Sequence, residues 1–165
     1  MQAKETVIHA ETQRRGEGAV EIDGLSAEVV DACVQIHREL GPGLLESVYE
    51  LVLAGELTRR GLKVDRQRPV DIAFNGVTYP AAFRIDIMVD NRLILEIKSV
   101  ESLGNAHLKQ LLTYLRLTQQ PVGLLLNFAG ATMKEGIRRV VNEYRQPQAP
   151  SASPRLRVNQ QSGES

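Results

Sequence analysis

Tryptophan is absent from this 165-residue chain, and Phe and Tyr together make up only 4% of it. Serial stacking of nucleobases on aromatic platforms is therefore excluded as a main binding device. A single cysteine, Cys33, excludes an internal disulfide framework and any multi-cysteine metal centre. Neither sign of charge dominates, since 20 Lys+Arg meet 20 Asp+Glu for a formal net charge of zero. A basic coat for nucleic acid is thus excluded, although a local basic patch is not. No apolar run approaches the roughly 20 residues that span a bilayer. The opening Met1-Gln2-Ala3-Lys4-Glu5 lacks the apolar stretch of a secretory signal. What is present, 42% hydrophobic and 24% charged residues, is globular composition. The expectation is one soluble, cytoplasmic α/β domain without a membrane partner.

The two ends differ from the middle. Residues 1–21 are polar and show no apolar period, so a flexible segment is expected there. From Gln146 the text reads Gln-Pro-Gln-Ala-Pro-Ser-Ala-Ser-Pro. Without large hydrophobes it cannot offset the entropy of ordering, and 145–165 is expected to be a disordered tail. The folded unit is then 22–144, and trimming the ends uncovers no basic core.

Inside that unit the periods alternate between helical and extended. Ser26 is placed to cap a helix whose stripe is Val29, Val30, Cys33, Ile36 and Leu40, stopped by Gly41-Pro42-Gly43. A second helix, Leu45 to Arg60, is expected to turn Val48, Leu51, Val52 and Leu57 inward. Lys63 to Phe74, the Asn75-Gly76 turn and Val77 to Tyr79 read as a hairpin. Phe83–Val89 and Leu93–Lys98 read as two further strands. Asn105–Leu117 reads as a helix and Val122–Phe128 as a strand covered on both faces. Lys134–Asn142 reads as a last helix.

Two of these strands carry charges in apolar text: Phe83-Arg84-Ile85-Asp86-Ile87-Met88-Val89 and Leu93-Ile94-Leu95-Glu96-Ile97-Lys98. The period of two puts Glu96 and Lys98 on one face. A buried carboxylate needs a cation, a metal or a hydrogen-bonded network. If the loop is Val89-Asp90-Asn91, then Arg84 faces Glu96 and Asp86 faces Ile94. Asp86 and Glu96 then become diagonal neighbours on one face, about 7–8 Å apart. Both could converge on a hard cation such as Mg²⁺. Equally, they could be held by salt bridges from Arg84 to Glu96 and from Lys98 to Asp86.

Asp86 followed by Glu96-Ile97-Lys98 resembles the D…(D/E)xK signature of the PD-(D/E)XK nuclease superfamily, with Ile85 where that signature has Pro. More narrowly, Gly43-Leu44-Leu45-Glu46-Ser47-Val48-Tyr49 resembles the motif of the small bacterial GxxExxY family within it. The likeness continues through His107-Leu108-Lys109-Gln110-Leu111-Leu112-Thr113-Tyr114-Leu115 and Gly123-Leu124-Leu125-Leu126-Asn127-Phe128, covering roughly Leu25 to Asn142. It implies a restriction-endonuclease-like α/β fold, a mixed sheet flanked by helices. It also implies a Mg²⁺- or Mn²⁺-dependent nuclease with nucleic acid, DNA in first place, as partner, alongside a possible protein partner or homodimer.

By the same resemblance Asp86, Glu96 and Glu46 are metal ligands. Lys98 orients or acidifies the attacking water, and Gln110 holds the site or contacts phosphate. Each has a plainer alternative. Glu46 also suits the positive end of its helix, Gln110 could belong to a solvent-facing stripe, and Tyr49 could either support Glu46 or sit in the core. Arg59, Arg60, Lys63, Arg66 and Arg68 form either a phosphate-contacting edge or a solvated helix end. The competing function is a catalytically silent module that binds nucleic acid or protein on a nuclease fold.

Overall fold

The computed structural model describes residues 2–143, with side chains from Glu21 onward; the expected tail 145–165 lies outside the described residues. Helix α1 (Gln2–Leu40) is followed by α2 (Glu46–Arg59), then strands β1 (Val64–Phe74), β2 (Val77–Val89) and β3 (Leu93–Lys98). Helix α3 (Asn105–Leu117), strand β4 (Val122–Asn127), the short α4 (Met133–Gly136) and β5 (Ile137–Val141) complete the fold. The strands form one mixed sheet in the order β1-β2-β3-β4-β5. Only the β3–β4 pair is parallel, with α3 as its crossover. Helices α1 and α2 cover one face through a core that includes Val29, Cys33, Tyr49, Leu53, Leu95 and Leu126. Helix α3 covers the other through Ile85, Ile94, Leu111, Leu115 and Leu125. Among the described residues no helix is long and apolar enough to cross a membrane.

Most of the expected elements form, and four differ. Helix α1 starts well before Ser26, whose hydroxyl donates to Ile22 O at 2.8 Å inside the helix instead of capping it. The end is as expected: Gly41 and Gly43 take φ of 71° and 103°, which side chains disfavour. In α2 the inward face is Tyr49, Leu53 and Leu57, while Leu51 is 57% exposed and Val48 faces out. Tyr49 sets this rotation. Its hydroxyl donates to Gly41 O at 2.6 Å and accepts from Leu44 N at 3.2 Å, and its ring stacks on Phe128 at 4.3 Å. A buried aromatic outweighs two smaller aliphatics in setting a helix face.

The third difference is that Val77–Val89 is one continuous strand rather than two. It absorbs Pro80-Ala81 with a register shift near Val70 and Ile72, where Asp71 accepts the Ala81 N–H at 2.8 Å. The fourth is at the end of the chain, where only Met133–Gly136 is helical and β-branched Ile137–Val141 pairs antiparallel with β4. The wholly buried β4 would otherwise leave an apolar edge open. Gly136 permits the join, since a Cβ there would stand 2.0 Å from Asn127 O.

Candidate active site

Asp86 and Glu96 lie on neighbouring strands where the sheet forks, close enough for the charge of one to act on the other. The β2–β3 ladder consists of Ile87–Leu95, Met88–Ile94 and Val89–Leu93. Beyond it β2 leaves β3 and continues with β1 as a two-stranded ribbon. The connecting loop is Asp90-Asn91-Arg92, one residue later than expected, with Asp90 and Asn91 at φ 49° and 54°. Asp90 is drawn into the turn because its N–H and carboxylate both bond Lys63, at 2.8 and 2.9 Å. The register therefore moves by two. Met88, not Asp86, faces Ile94, and one more step would set Asp86 directly opposite Glu96 rather than diagonal to it. Because the shift is even, regular alternation would still give the two carboxylates one side.

At that step the ladder is replaced by a side chain. Asp86 Oδ2 accepts the Ile97 N–H at 2.8 Å, satisfying a donor that the departing strand leaves behind. Burial raises the Asp86 pKa, the Ile97 N–H offsets part of that, and the charge of Glu50 adds to the rise.

Glu96 is only 4% exposed. Its Oε1 accepts from Lys98 Nζ at 2.9 Å, while Oε2 is buried with no hydrogen-bond partner. Burial first, and then the charge of Asp86, push its pKa up to about 7 against the pull of Lys98. Burial works against the Lys98 charge, but the hydrogen bond and charge of Glu96, joined by the charges of Glu46 and Asp86, outweigh it and the ammonium pKa ends higher. Neither alternative salt bridge forms, because Lys98 pairs with Glu96 and Arg84 donates to Gln67 O at 3.0 Å.

The other candidates are placed as follows. Glu46 accepts the Ser99 N–H at 3.1 Å, just past Lys98, and its charge is felt at Asp86, Glu96 and Lys98. Gln110 gives its amide to Tyr114 Oη at 2.8 Å, and Tyr114 stacks on Phe83. No hydrogen bond joins Gln110 to the carboxylates. Tyr49 belongs to the core and to the glycine turn, not to Glu46. The basic edge is largely spent on ion pairs: Arg59 and Arg60 on Glu56, Arg66 on Glu50, and Arg68 on Asp65.

Sequence reasoning missed Glu50. It is 6% exposed and bonds Arg66 Nε at 3.0 Å and Gln67 Nε2 at 2.8 Å. The only hint in the sequence is that Glu46, Tyr49 and Glu50 fall three and four apart on one helix face, which does not by itself mark Glu50 as buried.

An open cleft of about 840 Å³ adjoins this cluster, lined in part by Gly43, Leu44, Glu46 and Ser99. Among the described residues no three His, Cys, Asp or Glu side chains form a ready metal cage. A divalent ion nevertheless suits the donor set. Two carboxylates on neighbouring strands, one with an unpartnered buried oxygen, offer the oxygen donors that a hard cation takes together with water. A family model described as the PD-(D/E)XK nuclease superfamily matches residues 23–140. The mixed sheet with flanking helices is the restriction-endonuclease-like architecture that goes with it. No curated protein and no solved structure matches the chain.

Proposed function

Because the chain belongs to the PD-(D/E)XK nuclease superfamily, we propose that it is a Mg²⁺- or Mn²⁺-dependent nuclease of the GxxExxY family. Its substrate in this reading is nucleic acid, DNA in first place, and its working unit is 22–144. The observation that carries the reading is the unpartnered, buried Glu96 Oε2 beside Asp86. Such an atom is rare in a native fold and calls for a physical reason, and a bound cation supplies one.

Asp86 and Glu96 would hold the ion, with Glu46 at the rim of the same site. The ion would neutralise charge on a phosphoryl oxygen and lower the pKa of a bound water. In the reaction a water oxygen would form a bond to phosphorus as an ester P–O bond breaks, the water proton passing to a carboxylate or to solvent and the leaving ester oxygen taking a proton from solvent. Lys98 keeps its proton, because its pKa is shifted upward. Its ammonium therefore donates to the negative charge that builds on the phosphoryl group and does not act as the base. Glu46 fixes the Ser99 backbone at the end of β3 and so steadies the chain beyond Lys98.

The test is calorimetric titration of Mn²⁺ and Mg²⁺ into the wild type and Asp86→Ala, beside cleavage of single- and double-stranded DNA and RNA. Binding and cleavage in the wild type, both lost in the variant, support the reading. A flat titration favours the second reading, a silent binding module, which the even charge count and the engagement of Gln110 with Tyr114 support.

A further inference from the structure

We infer that Glu50 is a positioning residue, which through Arg66 and Gln67 aims the carboxylate of Asp86 at β3; this rests on the nuclease reading of the site. The starting point is a break in alternation. Residues two apart on a strand share a face, yet Ile87 and Val89 belong to the core under α1 and α2 while Ile85 and Phe83 belong to the core under α3. The partner strand changes face at the same place, with Val64 packed on the first core and Val70 on the second. The pairing itself keeps step, Arg66 with Ile87 and Arg68 with Ile85. The rotation therefore falls on the intervening Gln67 and Asp86. Gln67 has φ of 50°, a left-handed backbone that a non-glycine residue keeps only where its surroundings hold it.

Those surroundings are Glu50. Its two oxygens take Arg66 Nε at 3.0 Å and Gln67 Nε2 at 2.8 Å, so the carboxylate spans the bend. Gln67 O accepts from Arg84, which ties the bend across to β2. Glu50 is itself fixed, buried beside Tyr49 and Leu53 on α2. The result is that Asp86 points along the sheet at the Ile97 N–H rather than into either core. Regular alternation from Met88 would turn it into the core under α3.

The experiment uses the full chain, with the Ile97 amide resonance as a metal-free reporter of the Asp86 bond and Mn²⁺ titration as the second readout. Glu50→Ala is expected to shift the Ile97 resonance and weaken Mn²⁺ binding about 10- to 100-fold, the usual effect of removing a group that orients a ligand. Glu50→Gln is expected to keep both near wild type, because its carbonyl serves Arg66 and its NH₂ serves Gln67 once that amide turns over. Gln67→Val, at an exposed position, removes the amide and disfavours positive φ, and should match Glu50→Ala; it carries the test if Glu50→Ala does not fold. Unchanged Ile97 resonance and Mn²⁺ affinity in folded Gln67→Val overturn the inference. If the wild type binds no Mn²⁺, the nuclease reading fails, and the Ile97 resonance alone still decides the role of Glu50.

Discussion

The β3–β4 pair and the β1–β2 ribbon are built on opposite terms. Every residue of β4 and all but Lys98 of β3 are buried, so ladder and packing together dictate where each side chain points. The ribbon is mostly exposed, and Phe74, Val77 and Tyr79 near its tip are at least half in solvent. There, geometry depends on side-chain ties such as Asp71 to Ala81 and Glu50 to Gln67. The candidate site takes one carboxylate from each. Glu96 owes its high pKa to the dry half, and Asp86 owes its direction to ties in the wetter half. A site at such a boundary can combine a strained electrostatic state with a geometry that can be adjusted.

Four measurements break or sharpen that contrast. The largest effect is expected on turnover: Asp86→Ala, Glu96→Ala and Lys98→Ala should each lower metal-supported cleavage by roughly 1000-fold, about 4 kcal/mol in the barrier. Next comes packing. Leu126→Ala in β4 should cost about 3 kcal/mol in denaturant unfolding, whereas Val77→Ala at the ribbon tip should cost under about 0.5 kcal/mol. Equal losses would end the contrast.

Third is pH. The Glu96 pKa is raised from 4.5 to about 7 in the folded chain, so the folded state holds a proton that the unfolded state has released. Metal-free stability should therefore fall as pH rises from about 4.5 to 7 and level off above. At pH 8 Glu96→Gln should be more stable than the wild type by about 3 kcal/mol, and Mn²⁺ affinity should climb over the same interval as the proton is displaced. The smallest effect is a difference between two variants. Asp86→Asn keeps an acceptor for the Ile97 N–H and removes a charge, so the metal-free protein should be about 1 kcal/mol more stable than Asp86→Ala.

Much of this was legible in the sequence, for identifiable reasons. Asn105–Leu117 and β4 carry periods that a single element can satisfy, and both form where expected. The Asn75-Gly76 turn likewise announces itself locally, and Phe74 pairs with Val77 around it. The parity of Asp86 and Glu96 could be read because even shifts preserve it; the register could not, because it was set by Asp90 reaching across to Lys63. The rotation of α2 and the strand at Ile137–Val141 were hidden for a similar reason. Each is decided by a partner distant in the chain, Phe128 for Tyr49 and β4 for β5. Glu50 was missed because a glutamate on a helix reads as solvated until its ribbon partners are known.

The order of strands across the sheet is also their order along the chain. During synthesis each new strand therefore docks on an edge already made, and none has to be inserted between two others. Assembly can follow the ribosome, with loop closures kept short apart from the α3 crossover. The exposed interval comes late: from the emergence of Asn127 until Val141 is free, the apolar edge of β4 has no neighbour. A chain halted in that window presents a sticky template to its own copies, so β5 serves the nascent protein as a seal as much as it serves the finished one as a strand.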